Sequence, residues 1–193
     1  MARAHKSLCR VARGISIWWS AALVLALAAC GSGSSGPAKG PGPHFKIGQP
    51  YKINGNWYHP QFVTEYEAIG IASWYGHSYH GRLTANGEVY DMYALTAAHP
   101  TLQLPSVVEV VNLENGRSLV LRVNDRGPFV KHRLIDLSLA AARELGFERQ
   151  GLAQVQVRYL GLARLDEAPI RPGERRQYAA MSCQLPEPKR LVC

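Results

Sequence analysis

Between residues 68 and 160 the hydrophobic positions recur at the short periods of β-strands. Val155, Val157 and Tyr159 alternate with Gln154, Gln156 and Arg158, the period of two expected of a strand buried on one face. Segments 68–75, 107–113 and 118–123 are short and rich in β-branched or aromatic residues, which fit a pleated, half-buried surface. With 154–160 they are the predicted strands. Asn115-Gly116 stands between the second and third, and an Asn-Gly pair suits a two-residue hairpin because both central positions take positive φ. Those two strands are therefore expected to pair antiparallel. One segment has the composition of a helix: 139–145 is dense in Ala and Leu, with Ser138 placed to cap its start and Gly146 to end it. Short strands with one small helix predict a closed or nearly closed β-barrel.

The pattern changes on either side of this segment. Residues 51–58 place Asn54-Gly55 between alternating flanks and predict a small hairpin within an N-terminal extension, 44–67. Before it, 30–43 is mostly Gly, Ser and Pro, a composition that buries no core and predicts a flexible tether reaching about 20 Å. Residues 1–29 read as an export signal: Arg3, Lys6, Arg10 and Arg13, then an uncharged apolar run, then small residues. The run is short of the roughly 20 residues needed to cross a bilayer. Leu27-Ala28-Ala29-Cys30 is similar to a bacterial lipobox, which makes Cys30 the expected lipid carrier, and Gly31 rather than Asp after it suggests, by resemblance to sorted lipoproteins, the outer membrane. After residue 162 the chain becomes rich in Pro and Arg, and 163–193 is expected to be a loosely ordered tail.

Charge and cysteine content alter the picture in two places. Removing 1–29 deletes four basic residues and no acidic one, so the formal charge of +8 falls to +4. The remaining excess, Arg164, Arg171, Arg175 and Arg176 among it, fits a solvated face or a contact with anionic polymer. Nucleic acid is not an expected partner. Cys9 leaves with the signal and Cys30 takes lipid, so Cys183 and Cys193 remain, able to pair in an oxidising compartment. No Cys-x-x-Cys pair supports a zinc-thiolate site. His77 and His80 lack a third ligand and read as loop residues, so no metal or cofactor is expected.

The candidate chemistry lies in three polar stretches. Asn124-Asp125-Arg126-Gly127-Pro128-Phe129 sets a carboxylate where an apolar strand breaks into a turn, which can hold a side chain over a cleft. Segment 72–88 is polar and glycine-rich, carries Trp74, Tyr75 and Tyr79, and presents Glu88 on a glycine turn. Aromatic faces beside polar groups suit sugar rings, although Trp74 and Tyr75 fit a core equally well. Glu88 and Asp125 together suggest cleavage of a glycosidic bond, which needs a proton donor and usually a second carboxylate. His99 could orient a carboxylate, bind substrate or be a satisfied structural histidine. Asp136, just before the helix, reads as a site acid or as a stabiliser of the helix start, with a supporting role favoured.

Taken together, Gly70–Gly76, the Gly-Arg-Leu-Thr-Ala-Asn-Gly-Glu string ending at Glu88, Leu-Thr-Ala-Ala-His at His99, Val-Asn-Asp-Arg-Gly-Pro-Phe at Phe129 and Ile-Asp-Leu-Ser at Ser138 resemble the rare lipoprotein A family. The resemblance implies a mainly β fold, a six-stranded double-psi β-barrel with one or two short helices over 68–162. It also implies an outer-membrane lipoprotein acting as a lytic transglycosylase on peptidoglycan, with a preference for glycan strands stripped of stem peptides. By motif, Asp125 and Glu88 take the places of the catalytic carboxylates. His99, Asp136, Trp74, Tyr75, Asn86 and Arg126 take supporting or substrate-binding places. The expected partners are glycan strands and, through Cys30, a membrane. Many relatives end in a peptidoglycan-binding repeat of roughly seventy residues, for which 163–193 is too short and too Pro-rich, which leaves septal recruitment and cell-division partners unknown. A non-catalytic, glycan-binding or septum-organising lipoprotein with the same barrel is the alternative.

Overall fold

The computed structural model describes residues 40–174. The expected signal, Cys30, most of the tether, Arg175, Arg176, Cys183 and Cys193 lie outside the described residues. A two-stranded hairpin, β1 (Tyr51–Ile53) and β2 (Asn56–Tyr58), precedes the barrel strands β3 (Glu67–Tyr75), β4 (Thr96–Ala98), β5 (Ser106–Asn112), β6 (Ser118–Asp125), β7 (Arg133–Ser138) and β8 (Ala153–Leu162). Helix α1 (Leu139–Glu144) and a 3-10 turn, His77–Tyr79, complete the elements of the described residues. The barrel closes in the order β3-β7-β4-β6-β5-β8. Parallel pairings of β3 with β7 and of β4 with β6 sit among antiparallel ones, so the sheet is mixed.

The four expected strands form close to their predicted bounds, and β4 and β7 are additional. Thr96-Ala97-Ala98 is three residues long, wholly buried and low in β-propensity; only neighbours on both sides make it a strand. β7 reads in sequence as the approach to a helix, but its Leu134-Ile135-Asp136-Leu137 core pairs with β3 and β4.

The two Asn-Gly pairs behave differently. In the β1–β2 hairpin, Asn54 (φ 49°) and Gly55 (φ 82°) both take positive φ between the paired Ile53 and Asn56, as a two-residue primed turn requires. Between β5 and β6 the strands do pair antiparallel, yet the loop is longer than two residues. Gly116 has φ 73°, while Asn115 turns its side chain to Leu145 O and Arg117 N. Helix α1 starts as expected: Ser138 Oγ accepts from Ala141 N at 3.2 Å and also donates to Ala94 O at 2.6 Å, so the cap ties the helix to the barrel.

The core is the barrel interior with one face of α1: Val108, Val110, Leu121, Val123, Ile135, Leu137, Val155 and Val157 meet Ala141 and Ala142 of the helix and Leu145 and Phe147 just after it. Both ends of the described chain are bound to it. The backbone of Lys46 pairs with Leu104 in both directions, Gln103 brackets Val63, and Tyr51 donates its hydroxyl to Pro100 O. The expected loose tail is corrected over residues 163–171. Ala163 is buried, Leu95 N donates to Ile170 O at 2.6 Å, and Arg171 pairs with Asp91 at 2.7 Å. Ala163 and Ile170 also pack with Val107, so apolar, backbone and charged contacts together hold this stretch.

Candidate active site

Strand register builds the site. Ala98 of β4 stands beside Asp125 of β6 on one side and Asp136 of β7 on the other, and Asp136 pairs with Ser73 of β3. Neighbours in register share a face of the sheet, so Ser73, Asp136, Ala98 and Asp125 form one row across four strands. Two strand spacings set the Cα atoms of Asp125 and Asp136 about 10 Å apart, and the small Ala98 leaves the space between them open. A cleft of about 700 Å³ lies over this row. Its lining includes Asp125, Asp136, Arg133 and the aromatic rings of Tyr75, Tyr79 and Phe129.

Two bulges aim these side chains. Ala97 pairs with Val123 and Ala98 with Asp125, which makes Asn124 an extra residue in β6. The bulge turns Asn124 inward, where it donates to Glu88 Oε2 at 2.8 Å, and leaves Asp125 at the cleft. Leu134 is extra in the same way between β3 and β7. It crowds Gly70 so closely that a Cβ there would stand 2.8 Å from Leu134 Cβ.

Asp125 is partly buried. Its Oδ1 accepts from the backbone N–H of Ala85 and of Arg126, each at 2.8 Å, and Oδ2 has no protein partner among the described residues. Burial raises the carboxyl above its ordinary pKa, and the backbone hydrogen bonds and the charges of Arg126 and Lys46 offset this only in part. Asp136 is also raised by burial, against a 2.5 Å hydrogen bond from Ser73 Oγ and the charge of Arg133. Contrary to the helix-start reading, it lies in β7 facing the cleft, and Ser138 is the cap. It is the second carboxylate at this surface.

Glu88 stands elsewhere. It is only 7% exposed and does not line the cleft. Arg122 reaches it through Nη2 at 2.6 Å and through Nε at 3.1 Å to both oxygens, and Asn86 donates at 2.7 Å. Burial pushes its pKa up, but the hydrogen bonds from Arg122, Asn124 and Asn86 outweigh that and hold the carboxyl below its ordinary value. A proton donor needs the opposite shift. Asn86 is fully buried in the same network and binds Thr84 Oγ1 as well.

His99 is likewise internal. Its Nδ1 accepts from the backbone N–H of Thr101 and Leu102, so Nε2 carries the proton and donates to Tyr66 Oη at 3.0 Å. Burial, helped by the charge of Arg126, lowers its pKa to about 3, which keeps the ring neutral. Arg126 borders the cleft, but its guanidinium is spent on carbonyls of His99, Leu102 and Ile47. Trp74 borders it too, with Nε1 anchored to Glu148 O at 3.1 Å. Tyr75 stacks on Tyr90 at 4.3 Å and meets Tyr79 edge-on.

Sequence reasoning missed Arg133, Phe129, Tyr66 and Arg122 as site-shaping residues. Arg122 alternates with apolar neighbours in a strand and gives no local signal. Phe129 belongs to the Asp125 motif, and its packing against Tyr51 and Tyr58 at 6.0 and 5.6 Å depends on the distant hairpin. Among the described residues, no group of three or more His, Cys, Asp or Glu could hold a metal ion. His80 instead accepts from Met92 N.

Residues 67–157 match the sequence model of a family described as lytic transglycolase. A protein of Pseudomonas aeruginosa named endolytic peptidoglycan transglycosylase RlpA is 55% identical over 109 residues, 56% of this chain and 32% of that protein. Proteins of the same name from Helicobacter pylori and Neisseria meningitidis are 51% identical over 113 residues and 52% identical over 115. These alignments cover 58% and 59% of this chain and 36% and 48% of the relatives. The chain therefore spans about a third to a half of the curated relatives it matches.

Proposed function

Because the barrel of this chain belongs to the rare lipoprotein A family of double-psi β-barrels, we propose that the chain is an endolytic lytic transglycosylase of peptidoglycan, with Asp125 as its acid and base. The observation that carries this reading is the Asp125 carboxyl, raised in pKa by burial, whose Oδ2 has no protein partner among the described residues, in a cleft walled by aromatic rings. The names of the relatives support the substrate.

Protonated Asp125 donates to the oxygen linking N-acetylmuramic acid to N-acetylglucosamine, and the C1–O bond breaks. The resulting carboxylate takes the proton of the muramic C6 hydroxyl, whose oxygen bonds to C1. A 1,6-anhydro ring forms, no water enters and Asp125 regains its proton. Tyr75, Tyr79 and Phe129 offer faces to the sugars. Glu88 acts at a distance: by holding Arg122 and Asn124 it fixes the end of β6 that carries Asp125. His99 and Asn86 support the same loops. Strands without stem peptides are the proposed substrate, and Cys30 carries lipid that holds the domain at the periplasmic face of the outer membrane.

A soluble form starting at residue 40, incubated with amidase-treated peptidoglycan, should release anhydromuramic products detectable by mass spectrometry. Products with reducing ends would instead indicate a hydrolase. No product at all would sink the enzymatic reading.

A further inference from the structure

The cleft contains a cation that the proton transfer does not use. Arg133, at the start of β7, donates from Nη1 to Ser73 Oγ at 2.8 Å, and its Nη2 lies 3.3 Å from Asp136 Oδ2. These contacts come from two adjacent strands, so the guanidinium is oriented before any ligand arrives and has little rotamer freedom left to lose. Its Nε is buried without a hydrogen-bond partner among the described residues, while the side chain as a whole stays 26% exposed at the cleft. Two contacts leave part of its donor fork unused. Arg126, the other arginine at this cleft, is committed to three carbonyls.

Muramic acid carries a lactyl ether on C3. Where no stem peptide is attached, that group ends in a carboxylate; where one is attached, the same carbon is a neutral amide followed by peptide. Resting on the transglycosylase reading, we propose that Arg133 binds the free lactyl carboxylate of the muramic acid unit and thereby selects glycan strands that lack stem peptides. A planar guanidinium matches a carboxylate in a paired, charge-assisted geometry that an amide oxygen cannot reproduce. The row across the sheet gives the spacing. A ring laid over Ala98 with C1 at Asp125 directs its C3 substituent toward Asp136, about 10 Å away at the backbone, where the Arg133 guanidinium meets Asp136 Oδ2. Asp136 then serves as a positioning residue that keeps the guanidinium turned to the cleft.

The test crosses substrate with variant. Peptide-free strands are prepared with the lactyl carboxylate intact or converted to its methylamide, and kcat/KM is measured for wild type, Arg133→Met and Arg133→Lys. Wild type should favour the carboxylate form at least about ten-fold, the worth of a charge-assisted hydrogen bond. Arg133→Met should lose that factor on carboxylate strands and nothing further on methylamide strands, with Arg133→Lys between. Equal wild-type rates on the two substrates, or equal losses for Arg133→Met on both, would overturn the assignment. Binding of the same two strands in an Asp125→Asn background reads the contact without turnover and compares substrates even if Arg133→Met folds poorly. There, a carboxylate preference abolished by the Arg133 change is expected, and no preference overturns it. Carboxylate-dependent binding with no product from wild type would overturn the transglycosylase reading alone.

Discussion

Asp125 and Glu88 are both acidic residues beside polar motifs, and their surroundings push them apart. Asp125 has two backbone donors on one oxygen and burial around the rest. A carboxyl raised in the folded state is favoured when protonated, so its burial costs nothing below the ordinary aspartate pKa and becomes costly as pH rises through the raised value. Asp125→Asn keeps the Oδ1 acceptor and removes that cost. It should abolish product formation while melting at or above the wild-type temperature at pH 7, with the difference vanishing in acid. A lower melting temperature at pH 7 would contradict this. Wild-type turnover should decline as pH rises through the same raised value, because the donor form is lost. Glu88 has the opposite sign. Held below its ordinary value by Arg122, Asn124 and Asn86, it contributes stability above the ordinary glutamate pKa that is lost as pH falls through the lowered one. Glu88→Gln removes the carboxylate that the buried Arg122 holds at 2.6 Å, and breaking such a buried pair costs about 3–5 kcal/mol at neutral pH and less in acid. Urea denaturation at two pH values checks both statements. The sequence shows that two acids are present; what it hides is Arg122, one alternation along a strand.

At the level of elements, the legible parts were those with a local physical cause. Alternation in β8, the valine-rich run of β5 and the Ser138 cap all act within a few residues. β4 and β7 form because partners arrive from elsewhere in the chain, and the row containing both cleft carboxylates runs through these two strands. The bulges were equally illegible, since an extra residue is defined only against a partner. Their consequence is testable at Gly70. Its open Cα–H face lets Leu134 bulge against β3, and the Cβ of Gly70→Ala would sit 2.8 Å from Leu134 Cβ. Backbone must shift, costing about 1–3 kcal/mol as overpacking does. Since Leu134 lies between Arg133 and Ile135, the shift should disturb Arg133 and Asp136 as well. We expect activity at a permissive temperature to fall more than several-fold while the barrel remains folded by circular dichroism. Full activity in a destabilised Gly70→Ala protein would show that the bulge shapes stability alone.

For the molecule as a whole, the compositional boundary near residue 67 and the physical one differ. The match to the family begins at residue 67, and the sequence pattern separates an extension from a barrel at the same place. Hydrogen bonding crosses it repeatedly. Gln103 and His99 are buried, and their side chains are satisfied by Val63 and by Tyr66. Arg126 donates to Ile47 O, and the stacked Tyr51 and Tyr58 brace Phe129 at the cleft. A form beginning at residue 67 would take from Gln103 Oε1 its bond to Val63 N and from His99 Nε2 its bond to Tyr66, at about 1–3 kcal/mol for each buried group left unsatisfied. It would also release the loop that Arg126 and Phe129 shape. Compared with a form beginning at residue 40, it should melt about 10 °C lower or more. Below its own melting temperature it should still turn over peptide-free strands more slowly, through a raised KM, because the aromatic wall has lost its brace. Equal melting temperatures and equal KM values would mean that the extension merely rests on the barrel. A lower melting temperature with unchanged KM would confine its role to stability. The expected pairing of both losses follows from one geometry: the residues that satisfy the buried loop and the residues that support Phe129 lie on the same short stretch of chain.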